Sequence, residues 1–168
     1  VETDSENPAG LNALGNLARL RGETDQAKDY YRRAIERFPD NRQALQGISS
    51  VMPREELKAL MERVREKQPG AYGPRLILLE SALIDNDTQR ADELTAGLLE
   101  RKEESSPAPA ESLVASVYHG IATQLAQRER LEQAADVLRR GRILFPDNEE
   151  IGIQAAVVEF TQGNAKEA

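Results

Sequence analysis

The four-residue run Phe-Pro-Asp-Asn occurs twice, at Phe38–Asn41 and at Phe145–Asn148, and each time it closes a stretch with helical apolar spacing. Internal repetition constrains a fold more than any single motif, because a short repeated unit buries its apolar face only by stacking on its neighbours. The first copy spans Asn7 to Asn41 and holds two apolar stripes of helical period: Leu11, Leu14 and Ala18, then Ala27, Tyr31, Ala34 and Ile35. Gly22 stands where the first helix must stop, and Thr24 and Asp25 can cap the start of the second. Pro39 ends that second helix, and Asp40-Asn41 turns the chain.

These residues resemble the tetratricopeptide repeat, a helix–turn–helix unit of about 34 residues with Leu-Gly in its first helix, a small Ala and an aromatic in its second, and a closing Pro. Leu14, Gly15, Ala27 and Pro39 match it, Tyr31 stands in for the second aromatic, and Leu11 and Ala18 replace the larger Trp and Tyr. Gly15 and Ala27 are small where the two helices of a pair cross closely. The second clear copy carries Tyr118, Ile121, Ala122, Leu125, Ala134, Leu138, Gly141 and Pro146 in the same relative places. Between the two lie poorer units. Pro39 and Pro69 are only 30 positions apart, which predicts a shortened turn at Met52-Pro53. The next unit, with Leu78, Ala82, Ala91, Leu94 and Leu98, is expanded by the Ser- and Pro-containing stretch Ser105 to Pro109.

The resemblance implies an all-α fold, a right-handed α-solenoid of stacked antiparallel helix pairs. It forms a single domain over 1–168, with units at 8–41, 42–71 (short), 72–114 (expanded, with a loop at 103–109), 115–148 and 149–168 (truncated). The chain starts at Val1 without signal-peptide character and closes inside a fifth unit, so a piece of a longer array is expected. The terminal helix has Ile151, Ile153, Val157, Val158 and Phe160 on more than one face. That predicts contact with a following repeat, a second copy or a ligand, with Ile153, Val157 and Phe160 as the apolar contact candidates.

In this family the first helix of each pair lines a concave groove that receives a peptide or extended segment. Carried over residue by residue, the groove candidates are Asn12, Asn16 and Arg19, then Gln43 and Gln46, then Leu76, Glu80 and Leu83, and finally His119 and Thr123. Some family members grip the terminal carboxylates of heat-shock chaperones with a Lys/Asn/Arg clamp. Asn16 fits one place of that clamp, but Asn12 stands where Lys is needed and Gly47 where Asn is needed, which disfavours that ligand.

Composition narrows the function classes. Among 168 residues there is no Cys, which removes disulfides, thiolate metal sites and cysteine nucleophiles. A net charge of −7 works against nucleic acid and anionic lipid as partners. No apolar run approaches the roughly 20 residues of a membrane span, so direct membrane insertion is not expected. His119 is the single histidine and would need distant carboxylates to form an acid–base or metal site. The acidic pairs Glu55-Glu56, Glu103-Glu104 and Glu149-Glu150 sit near helix ends, where helix electrostatics explains such residues. Arg32-Arg33 with Arg37, and Arg139-Arg140 with Arg142, fall late in second helices, where cations offset the dipole. No phosphate loop, nucleophile elbow or zinc helix is present.

The expectation is a non-enzymatic protein-interaction scaffold without cofactor or metal. It would bind a protein or peptide in its groove, with self-association through the C-terminal helix as a further contact. The alternative is a structural spacer or assembly segment of a bacterial envelope machine, of the kind that serves polysaccharide export or protein sorting. Cytoplasmic and periplasmic settings both suit the composition.

Overall fold

The computed structural model describes residues 7–99 and 111–167. Glu103-Glu104 and the predicted loop at 103–109 lie outside the described residues. Nine helices and no strand are present among those described: α1 Pro8–Leu20, α2 Thr24–Arg37, α3 Arg42–Val51, α4 Arg54–Lys67, α5 Gly73–Asp85, α6 Thr88–Leu99, α7 Glu111–Gln127, α8 Leu131–Leu144 and α9 Glu149–Glu167. The fold is all-α and of the solenoid class. Its contacts fall into two compact units, Val1–Leu78 and Leu79–Ala168, with α5 shared between them.

In the first unit α1 packs against α2, α2 against α3, and α1 also touches α3. The Asn7 side chain caps α1 by accepting from Gly10 N at 2.9 Å, with Pro8 in the first turn, where a missing N–H costs nothing. The helix stops at Gly22, whose φ of +76° is left-handed, and Glu23 N returns to Ala18 O at 2.9 Å. That 6→1 closure satisfies carbonyls the helix would otherwise leave bare. Inside the unit the Tyr31 ring is fully buried. A Cβ on Gly15 would come within 2.5 Å of the ring, and one on Gly47 within 2.4 Å, so two glycines on α1 and α3 make the slot for the ring.

Pro39 closes α2 after Phe38, which sits at φ −134° and ψ 76° with its N–H on Ala34 O. Asn41 then caps α3 by accepting from Ala44 N at 3.1 Å, and Asp40 Oδ1 accepts from Gly73 N at 2.7 Å. Gly73 has no room for a side chain, since a Cβ there would lie 2.3 Å from Pro39 O. Met52 is extended before Pro53, as the residue preceding a proline prefers to be, and these two residues alone separate α3 from α4. Glu55 and Glu56 occupy the first turn of α4, and Lys28 of α2 reaches Glu56 at 3.4 Å.

The second unit repeats the same contacts: α7 packs on α8, α8 on α9, and α7 touches α9. α5 ends with Asn86 at φ 58° and Asp87 N on Ala82 O at 2.9 Å. α7 ends likewise, with Glu129 at φ 61° and Arg130 N on Leu125 O at 2.9 Å. Phe145 adopts φ −132° and ψ 66°, the copy of Phe38, and Asn148 caps α9 through Ile151 N at 3.0 Å. The large and small residues have changed places. Leu138 stands where Tyr31 stood, while Ala122 and Gln154 replace the two slot glycines. Thr95 of α6 holds the corresponding place in the preceding pair, and its Oγ1 meets Tyr118 Oη at 2.8 Å in the interior. Tyr118 also lays its ring against Phe145, centroids 5.9 Å apart at 66°. Burial raises the Tyr118 phenol above its usual range, with Thr95 working against that rise.

Candidate binding face

The shared helix stops fix a common register for the first helices. Counting back from Gly22, Asn86 and Glu129 puts Asn16, Glu80 and Thr123 in one place, and Asn12, Leu76 and His119 in another. Counting forward from the caps Asn7, Asn41 and Asn148 brings Gln46 and Ile153 into the place of Asn12.

In the first unit Asn16, Arg19, Gln43 and Gln46 are exposed, and Leu76 is half-buried. Asn12 is an interior residue, 4% exposed, because α3 lies over it; its Nδ2 donates to Asn41 Oδ1 at 3.0 Å and Gln43 Oε1 at 3.3 Å. The expectation that Asn12 meets a partner is therefore revised: its amide joins α1 to α3. Asn16 is fixed from below, since the buried Tyr31 hydroxyl donates to its Oδ1 at 2.8 Å, leaving the Nδ2 donors outward.

In the second unit Leu83 also departs from the expected groove position. It is 4% exposed and lines a small crevice with Val137 and Arg140, so α8 takes the surface that Arg19 leaves open in α1. Glu80 is half-buried, and desolvation holds its carboxyl above the usual carboxylate range. His119 and Thr123 are half-buried on α7. The Thr123 hydroxyl donates to His119 O at 2.9 Å and reaches Gln154 Oε1 of α9 at 3.1 Å, which brings the α7 candidates beside those of α9. Ile153, Val157 and Phe160 stand 66%, 58% and 72% exposed.

The charged clusters are largely engaged in structure. Arg140 bonds Asp92 Oδ1 at 2.7 Å and Thr88 O at 3.3 Å, Arg139 pairs with Asp136, and Arg32 with Asp29. Among the described residues no group of three or more His, Asp or Glu side chains is placed to hold a metal ion. No described helix is long and apolar enough to cross a membrane. Ile143, 76% exposed at the end of α8, is an apolar surface residue that helical spacing alone does not single out. Its signal in the sequence is the contrast between copies, since Ile143 falls where the first copy has Glu36.

Paired helices with recurring stops and caps define a helical-repeat protein. The family model described as Tetratricopeptide repeat matches residues 8–41, which are the first pair with its closing turn. Residues 8–41 are thus similar to a tetratricopeptide repeat. Among solved structures it is similar to one described as "Crystal structure of MamA protein", with a TM-score of 0.49 and 12% identity over 97% of this chain and 86% of that one. No curated protein matches the chain.

Proposed function

We propose that the chain binds a peptide or protein segment of a partner on the first-helix face of its first unit, the side that is concave in the tetratricopeptide family, and does so without bond-making chemistry. The observation that carries this reading is the support beneath Asn16. A surface amide held by a buried tyrosine hydroxyl has lost its rotamer freedom before a partner arrives, so its two N–H donors cost less to engage. Arg19 lies one turn further on and adds a cation with no apolar cover. Together they offer donors to a carbonyl or carboxylate of a bound segment.

The test is site-specific photo-crosslinking in the native cell extract, with the photoreactive residue at Gln46 on α3 or at Arg63 on α4. Adducts at Gln46 that disappear in the Asn16→Ala, Arg19→Ala double variant support a first-helix binding face. Equal labelling at Arg63 would show that the second-helix surface does the binding instead.

The exposed Ile143 favours a second reading. In the first unit the corresponding Glu36 accepts at its carbonyl from Nε2 of Gln68, the residue that closes α4, at 2.7 Å, so that spot on a second helix is where the end of a following second helix lies. An apolar residue there suits end-on stacking in a spacer or assembly segment, such as one in a bacterial envelope machine for polysaccharide export or protein sorting. Loss of assembly in Ile143→Asp with partner capture intact would select that reading.

A further inference from the structure

Resting on the first-helix face proposed above, we infer that this face of the first unit is a donor array that selects an extended, acidic segment of a partner protein, and that the buried Asn12 is a positioning residue aiming one of its donors. A chain of hydrogen bonds sets the polarity from inside. Asn41 Oδ1 caps α3 by accepting from Ala44 N, so the group Asn12 brings to it is its Nδ2, 3.0 Å away. The same Nδ2 lies 3.3 Å from Gln43, which answers with Oε1 and turns its own Nε2 donors to the surface. Asn12 Oδ1 is buried without a partner among the described residues, so no competing bond turns that amide over. Asn16 is held in the same sense, since its Oδ1 accepts from the Tyr31 hydroxyl at 2.8 Å. Two exposed amides, one on α1 and one on α3, thus have their acceptors engaged from beneath and their N–H groups directed outward.

Charge points the same way. Arg19 is the one charged residue of α1 and Arg42 the one charged residue of α3, both exposed, and within α1 to α4 every carboxylate stands on α2 or α4. Helix electrostatics accounts for Arg19 in the last turn of α1 but opposes Arg42 in the first turn of α3, where an acid is favoured. After the second Phe-Pro-Asp-Asn run the same two places hold Glu149-Glu150, the favoured choice, whereas the first unit has Arg42-Gln43. A face of N–H donors and guanidinium groups, in a chain of net charge −7, is complementary to carbonyls and carboxylates and repels basic segments. A helical occupant would hold its own carbonyls in internal bonds, so the amide donors call for an extended one. Asn12 and Gly47 leave the terminal-carboxylate clamp incomplete, so the acids that meet Arg19 and Arg42 are side chains within the segment.

The test is selection of random 12-residue peptides displayed on phage against the purified chain, followed by fluorescence anisotropy with the winners made as C-terminal amides. The expected winners are rich in Asp and Glu, poor in Lys and Arg, and bind more weakly as salt is raised. Asn16→Asp and Gln43→Glu keep the inner hydrogen bond and replace the outward donors with an acceptor. Each should weaken the winners about tenfold or more with circular dichroism and melting temperature held, whereas Gln43→Lys should bind within about twofold of the parent. Asn12→Leu removes the aiming donor and should weaken the winners about threefold. Gln43→Lys should restore binding in that background, a rescue that a merely structural Asn12 would not show, and failure of the rescue would overturn the role of Asn12. Apolar or basic winners that still depend on Asn16 and Arg19 would overturn the donor array and leave the first-helix face standing. Winners indifferent to every α1 and α3 change, or no winners, would overturn both. A gain of about tenfold on freeing the winners' terminal carboxylate, or tighter binding of a single-stranded oligonucleotide at the same residues, would assign the face to a chain terminus or to nucleic acid and overturn the inference.

Discussion

Replacing Gly15 with Ala puts a methyl group 2.5 Å from the Tyr31 ring, and the fully buried ring has little room to retreat, since a Cβ on Gly47 of α3 would already lie 2.4 Å from the same edge. Two effects oppose each other. Ala gains about 1 kcal/mol over Gly inside a helix, while forcing a methyl into a filled interior costs about 1–3 kcal/mol. With the ring fully buried and crowded by both helices the upper end of that cost applies, so Gly15→Ala should destabilise by about 1–2 kcal/mol. The second unit shows the compensated arrangement, with Leu138 in the tyrosine place and Ala122 in the glycine place. In a Tyr31→Leu background the clash is gone, the propensity gain remains, and Gly15→Ala should stabilise by about 1 kcal/mol. The coupling between the two sites is therefore about 2–3 kcal/mol, a value expected only for residues in contact. Urea unfolding followed by circular dichroism measures the four free energies. Amide exchange in α1 to α3 guards against partial unfolding, to which repeat arrays are prone. A Gly15→Ala effect of the same sign and size in both backgrounds would refute the slot.

Glu129 holds a left-handed backbone conformation that costs a residue with a Cβ about 1 kcal/mol or more. Glu129→Gly should raise the melting temperature by a few degrees, and Gly22→Ala should lower it. Thr95→Val and Tyr118→Phe each strand a buried hydroxyl and should cost about 1–3 kcal/mol, whereas the double variant should cost clearly less than the sum in denaturant titrations. Because burial raises the folded pKa of Glu80, the folded chain keeps this proton over a window above the ordinary value of 4.5, and stability falls as pH rises through it. Glu80→Gln should then raise the melting temperature at pH 7 and change it little below 4.5, as a pH series of thermal melts would show. Asp40→Ala removes the acceptor for Gly73 N and should cost about 1–2 kcal/mol, with faster amide exchange at the start of α5.

How far the sequence could be read depended on whether a residue's role was set locally. Gly22 announces a helix stop because glycine takes a positive φ without penalty, and Pro39 and Pro146 end helices wherever they stand. Glu129 makes the same stop and gives no such notice, since its conformation is imposed by the packing of α7 on α8. The candidate face shows the same division. Helical spacing put Leu83 and Asn12 on the first-helix side, but what covers that side comes from elsewhere in the chain: Val137 and Arg140 beside Leu83, Asn41 and Gln43 over Asn12. Periodicity assigns a residue to a side of its helix and says nothing of the neighbour that closes over it.

The turn between α2 and α3 has a mechanical consequence. Its two adjacent residues grip in opposite directions: Asn41 holds Asn12 of α1, and Asp40 holds the first amide of α5. Tension along the first unit would therefore pass between α1, α3 and α5 through one two-residue joint, and the long helices need not carry it alone. Bending of that unit would concentrate instead at the link Met52-Pro53, where the backbone is extended and a proline withholds a donor.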